Sequence, residues 1–199
     1  MKEKNTETTY LDFMKHVYTG DMCEEYKNEI TKCHEDRLLL AKLAMRQQSI
    51  PYMATTMSSK IVSVGAMRRF FKDYINGCVL ENCDGVDGYK YAWYIDYNYD
   101  NDIIANEDVI HITHTIGSTI IIPQHKCPTL YISNGSKVHI SCDGFNSVRL
   151  YLFDKAQATI DDVDEESDIT VYKYSDKCKV TKGKYALGKV NEFEKELKL

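Results

Sequence analysis

The side chains best suited to metal chemistry in the strand-like part of the chain are His111, His114, His125, Cys127, His139 and Cys142. Structural zinc is held by about four nitrogen or sulfur ligands in a tetrahedron, usually supplied as closely spaced pairs. His111 and His114 are three residues apart, which in a strand puts them on opposite faces, and only His125 and Cys127 share a face. No metal site is expected. Cys78 and Cys83 bracket a loop but lack a second pair, so they read as core or turn residues. The acidic run Asp161, Asp162, Asp164, Glu165, Glu166 and Asp168 carries oxygens that suit calcium, but it lacks the positional glycine and spacing of an EF-hand loop. It reads as a solvated turn.

Nucleophile and phosphate chemistry leave no local trace either. There is no GxxxxGK[ST], GxSxG, HExxH or glycine-rich dinucleotide pattern in the chain. No catalytic residue, cofactor or small-molecule substrate is therefore assigned, and the expectation is a protein that is not an enzyme. Groups brought together only by folding would escape such a search.

The 199 residues carry a net charge of -5 and 43% hydrophobic residues. A chain of this length buries roughly 70% of its unfolded surface without covalent staples. The acidic balance offers no overall basic surface for phosphates, so no nucleic-acid partner is expected. Seven cysteines, an odd number spread over helical and strand-like segments, read as reduced thiols of an intracellular protein. The N-terminus has no apolar run after its charges and no later segment approaches about 18 apolar residues, so neither a secretion signal nor a membrane partner is expected. The expected location is the cytoplasm of the producing cell, with incorporation into a virion as a further option.

Three segments would have to position these residues. Residues 1–84 read as a helical region, with the helical pattern clearest over about 8–77. Tyr10, Phe13, Met14, Val17 and Tyr18 share a helical face that ends at Gly20. Asp21 and Glu24 resemble a capping box for a helix through Met22, Tyr26, Ile30 and Cys33 toward Leu38–Met45. Whether residues 34–36 divide it stays open. Met67, Phe70, Phe71, Tyr74 and Ile75 repeat the spacing, and Gly77 stands where a C′ glycine belongs. Over 85–109 the period changes from 3.6 to 2, and Tyr89, Tyr91, Trp93, Ile95, Tyr97 and Tyr99 form one aromatic face. That strand is expected to pack on the helices or to cap the strands C-terminal to it, with a carbohydrate platform as the alternative.

Residues 110–199 read as a short β-solenoid of about four rungs with a C-terminal cap. Octapeptides starting at Thr115, Ser133, Phe153 and Ser175 stack with separations of 18, 20 and 22 residues. Their columns are Ser118, Ser136, Ala156 and Cys178, then Ile120, Val138, Ala158 and Val180, then Ile122, Ile140, Ile160 and Lys182. Each rung has an earlier strand with an inward pair: Leu130 and Ile132, Leu150 and Leu152, Tyr172 and Tyr174. Asn134, Asp154 or Asp176 comes next at a bend, where Asn and Asp tolerate left-handed dihedrals. A rung cannot cover its own apolar face, so neighbours must stack. An antiparallel sandwich would also alternate but would not require the small column. The fold class expected is α+β, a small N-terminal helical region followed by the solenoid.

Open solenoid ends must be capped or paired. Tyr185, Leu187, Val190, Phe193 and Leu197 are expected to fold over the last rung, and the aromatic strand with the helices to cover the other end. That leaves the lateral faces for partners, where Tyr131 and Tyr151 take equivalent outward positions one rung apart.

The Ser-Asn-Gly-Ser-Lys-Val and Ser-Asp-Lys-Cys-Lys-Val segments and the charged ending at 193–199 resemble small uncharacterised β-solenoid-bearing proteins of phages and mobile elements of gut Bacteroidales, including crAss-like phages. The resemblance covers about the last half of the chain. It implies a non-catalytic structural or assembly protein of a phage or phage-like element, whose partner is itself or another phage or host protein. The alternative role is a phage-encoded regulatory or anti-defence module that inhibits a host protein.

Overall fold

The structure is a computed structural model in which residues 23–34, 36–47, 49–51, 54, 68–72, 75–98 and 101–195 are described. The segment from Tyr10 to Met22, and Met67, Tyr74, Tyr99 and Leu197, lie outside them.

Two short helices open the described chain, α1 (Glu24–Lys32) and α2 (Arg37–Ala44). Cys23 occupies the N-cap of α1 without a side-chain cap, so Glu24 is the first helical residue and not the third that a capping box requires. Glu24 and Glu25 instead complement the positive end of the helix. The stretch is divided in two: His34 turns the chain at φ +48°, and the Asp36 carboxylate restarts it by accepting from Leu38 N at 2.9 Å and Leu39 N at 3.0 Å. Phe70 and Phe71, on a π-helical turn (Arg68–Lys72), are buried. Gly77 has φ +69°, with its N–H donated to the Trp93 carbonyl; a Cβ there would stand 3.1 Å from the Tyr94 ring. Close approach to a strand, as well as dihedral freedom, therefore requires glycine.

The rest is a β-solenoid of five turns with a sixth begun. Its strands are β1 (Val79–Glu81), β2 (Lys90–Ile95), β3 (Ile103–Ile104), β4 (Val109–Thr113), β5 (Ile116–Ile122), β6 (Thr129–Ser133), β7 (Lys137–Cys142), β8 (Ser147–Leu152), β9 (Gln157–Val163), β10 (Asp168–Lys173), β11 (Lys179–Ala186) and β12 (Lys189–Glu194). One sheet runs β1-β2-β4-β6-β8-β10-β12 and the other β11-β9-β7-β5-β3. All pairings are parallel except β1 with β2. The aromatic strand is β2, so the solenoid starts one turn earlier than the octapeptides suggest.

Between the sheets lies a core of inward residues from both, including Ile110, Leu130, Leu150 and Val171 facing Ile120, Ile140 and Ile160, all essentially sealed. Three of the four octapeptides stack as expected, with Val138, Ala158 and Val180 paired, and Ile140, Ile160 and Lys182 paired. The first is displaced by two residues: Ser118 pairs with Val138 and Ile120 with Ile140. Gly117, at φ +81°, is an extra bulged residue between Ile116 and Ser118, so the small buried corner column is Thr115, Ser136, Ala156 and Cys178. A shift of two preserves the face, which keeps the apolar pattern intact.

The corners after β2, β4, β6 and β8 are turned by Asp96, His114, Asn134 and Asp154, with φ of +54°, +54°, +56° and +57°. Asp176 does not share this conformation. The segment from Tyr174 to Cys178 is one residue longer than that from Phe153 to Ala156, which spreads the turn.

Two further expectations are corrected. Tyr172 and Tyr174 point outward and Val171 and Lys173 inward, because Tyr172 pairs with Tyr151 and Val171 with Leu150. Up to Lys195 the tail does not fold beneath the last rung: β11 and β12 extend the two ladders, and Tyr185 and Leu187 are 61% and 62% exposed.

Candidate interaction surface

Register makes one outward column of the seven-stranded sheet almost wholly aromatic: Trp93, His111, Tyr131, Tyr151, Tyr172 and Phe193 on successive strands. Parallel in-register strands hold side chains about 4.8 Å apart, which is ring-stacking distance. Trp93 and His111 stack at 5.4 Å, Tyr131 and Tyr151 at 4.8 Å, Tyr151 and Tyr172 at 4.9 Å, and Tyr172 and Phe193 at 5.7 Å. Phe153 and Tyr174 form a second short column at 4.9 Å.

The helical region lies along this face, not across the end of the solenoid. Leu40, Leu43, Met45, Ile50, Phe70 and Phe71 share a buried cluster with Tyr91, Trp93, Ile95, Val109, Tyr131 and Phe153. Phe71 meets the Trp93 ring at 5.3 Å. Most polar groups inside the contact are paired. Trp93 Nε1 donates to Thr113 Oγ1 at 2.7 Å, and Tyr91 donates its hydroxyl to Asp84 at 2.6 Å. His111 Nε2 is 2.9 Å from Ser133 Oγ, which donates to Asn134, whose amide reaches the Ala54 carbonyl. Burial holds the His111 pKa down to about 3, with His114 adding to the effect, so the ring stays neutral. Its Nδ1 has no hydrogen-bond partner.

Tyr131 and Tyr151 thus occupy the equivalent positions expected of them, but their environments differ. Tyr131 is only 5% exposed, covered by the helical layer. Tyr151 stands at its rim. Below it Tyr172 and Tyr174 are half-buried and Phe193 is 48% exposed, with Lys195 over the Tyr172 ring at 5.7 Å. Burial first, and neighbouring tyrosines second, raise the pKa of Tyr131 and Tyr151, while burial raises that of Tyr174, so these hydroxyls remain neutral donors. Tyr172 and Tyr174 escape notice as surface residues because the register that faces them inward also keeps Lys173 out of the core, and Phe193 because it is expected to fold over the last rung with Tyr185 and Leu187. The signal that finds them is the column itself, since Tyr131 and Tyr151 continue in phase to Tyr172 and Phe193.

The aromatic face of the Tyr89–Tyr99 strand is no carbohydrate platform. Tyr91, Trp93 and Ile95 are sealed beneath the helical region, and Tyr94 packs toward the solenoid interior. The lower ladder is no platform either, because its ring faces stack on one another and present edges and hydroxyls outward.

The remaining candidates are scattered. His111 is inside the helix–sheet contact, and His114 turns a corner. His125 and Cys127 are exposed in the turn before β6, and Cys142 is buried in the solenoid interior. His139, on the outer face of the five-stranded sheet, hydrogen-bonds Asp161 through Nδ1. Among the described residues no three His, Cys, Asp or Glu side chains gather as a metal site. The acidic run closes β9 and turns into β10: the Asp164 carboxylate accepts from Gly144 N, and the Asp168 carboxylate from Asn191. All seven cysteines are free, and burial pushes the thiols of Cys83 and Cys142 up to about 12 and that of Cys178 up to about 11. Such thiols are poor nucleophiles. Among the described residues no helix is long and apolar enough to cross a membrane.

Fold and surface together define a β-solenoid with a helical layer on one side and an uncovered aromatic strip below it. Comparisons with protein-family models, curated proteins and solved structures returned no match.

Proposed function

We propose that the protein is a non-catalytic structural or assembly protein that works through protein–protein contacts, and that its contact surface is the uncovered strip Tyr151, Tyr172, Tyr174 and Phe193. The observation that carries this reading is continuity. One ladder binds a helical layer over its upper turns and runs on, with rings still stacked, over turns that have much less above them. Stacked rings are already ordered, so a partner covering them gains aromatic area at little cost in side-chain entropy. Arg149 and Lys195 supply a polar rim.

The partner is a second copy or another component of an assembly. The resemblance of the rungs to phage and mobile-element proteins supports placing that assembly in a phage or phage-like element. Light scattering over a concentration series tests self-association. The parent is expected to gain mass with concentration, and Tyr172→Ala/Phe193→Ala to lose that gain while keeping its circular dichroism. A strictly monomeric parent removes the self-associating version. Mass spectrometry of purified particles then separates a component present in many copies from an inhibitor absent from them.

A further inference from the structure

The last turn of the solenoid reverses the chemistry of its interior. In the seven-stranded sheet the inward column Ile110, Leu130, Leu150 and Val171 ends in Glu192, and the next column, Ile112, Ile132 and Leu152, ends in Lys173 and Glu194. In the other sheet, Ile140 and Ile160 are followed by Lys182. Lys173 Nζ lies 3.3 Å from Glu192 and 3.5 Å from Glu194, and Lys182 Nζ reaches the Val190 carbonyl at 3.5 Å. The Glu194 side chain is 82% exposed and Lys182 is exposed as well, so these charges are wet as the chain stands.

This placement matters because among the described residues β11 and β12 are edge strands, each paired on one side only. An unpaired parallel edge on an apolar core is a template for another rung. Covering this edge would take Lys182, Glu192 and Glu194 out of water against an apolar rung, and Lys173 is a single cation facing both glutamates, so part of the desolvation penalty has no pairing to offset it. A second copy meeting it tail to tail would bring the glutamates of one β12 toward those of the other. The opposite end is protected by different means: antiparallel β1 covers β2, and β3 has only two residues.

We infer that Lys173, Lys182, Glu192 and Glu194 form a charged stop that closes the C-terminal edge of the solenoid to rung addition, so that copies of this chain do not join tail to tail through β11 and β12. The inference stands whether or not the aromatic strip is the contact surface. The test is the variant Lys173→Leu/Lys182→Ile/Glu192→Val/Glu194→Ile, followed by sedimentation velocity, electron microscopy and hydrogen exchange. The parent is expected to form no axial assemblies. The variant is expected to form dimers joined tail to tail, because the opposite end stays protected, with amide protection gained in β12 and the parent's circular dichroism retained. A folded variant with the parent's size distribution and β12 exchange overturns the inference. If the fourfold variant fails to fold, Lys182→Ile/Glu194→Ile decides on the same readouts, because both side chains stand in water and their replacement disturbs no core. The charge-keeping variant Lys173→Arg/Glu192→Asp must behave as the parent, and tail-to-tail joining by it would overturn the inference equally.

Discussion

The upper and lower parts of the aromatic ladder share one sheet, one register and one stacking geometry, yet they meet different surroundings. Trp93, His111 and Tyr131 are sealed under the helical layer, whereas Tyr172 and Phe193 keep part of their surface in water. The same repeat that builds a core where a second layer is present builds a sticky strip where that layer stops. Sequence period alone does not distinguish the two, because the column is set by the strands and its burial by a segment far away in the chain.

The largest consequence is energetic. Trp93→Ala is expected to lose about 3–5 kcal/mol, since it opens a cavity between the layers and leaves the Thr113 hydroxyl without its donor. Tyr172→Ala, lower down the same ladder, is expected to lose only about 1 kcal/mol. Urea denaturation of both variants checks this, and equal losses would break the distinction between covered and uncovered turns.

Next comes a pH dependence confined to the upper part. His111 has its folded pKa lowered to about 3 from an ordinary value of 6.5. The unfolded chain therefore binds the proton first, so stability rises with pH across that window. The contribution is fully present above about pH 6.5 and is lost as pH falls toward 3, on the order of 5 kcal/mol in all. His111→Phe, which keeps the stack on Trp93, should flatten the stability profile between those values. An unchanged slope would place the acid sensitivity elsewhere.

The lower turns are uncovered outside but closed inside, and Cys178→Asp separates those two properties. Cys178 is 6% exposed in the small corner column, with its thiol donating to the Asp154 carbonyl at 3.3 Å. A carboxylate there would face the Asp154 carbonyl oxygen, and nearby backbone N–H groups would make up only part of its lost hydration, at a cost of about 1–3 kcal/mol in thermal or chemical melts. A melt matching the parent would mean that the last corner is open to water.

The sequence carries the solenoid plainly and its outer contacts poorly, for separable reasons. Val138, Ala158 and Val180 align because an inward column must stay apolar and of fitting size through stacked turns. The first octapeptide slips because the turn from Ile120 to Ile140 is 20 residues long and not 18, and a slip of two keeps the alternation and so leaves no trace in the pattern. Tyr172 and Tyr174 are misassigned because a lysine inside a core violates the alternation rule. The violation is real, and it is tolerated where the interior ends and the Lys173 ammonium meets Glu192 and Glu194. Tyr131 looks like surface for an opposite reason: the cluster that buries it includes Ile30 and Leu40 from the helical region, 101 and 91 positions earlier, and no local spacing reports that packing.

The smallest effect on stability belongs to the end of the ladder, and there stability and association should part. Among the described residues Phe193 stacks on one neighbour only, Tyr172, at 5.7 Å and 25°, and the ring is 48% exposed. Truncating it removes one stacking contact and little buried area, so Phe193→Ala should cost the isolated chain about 0.5 kcal/mol. Its effect on association should be larger, because the ring is the most accessible member of the strip and a partner would bury its free face. Urea melts at low protein concentration measure the first quantity, and light scattering at rising concentration the second. If Phe193→Ala instead lowers stability by about 2 kcal/mol or more, a penalty that belongs to a filled core, then the ring is already covered when the chain is alone. The strip would then be part of the fold, and the contrast between the two parts of the ladder would vanish at its last residue.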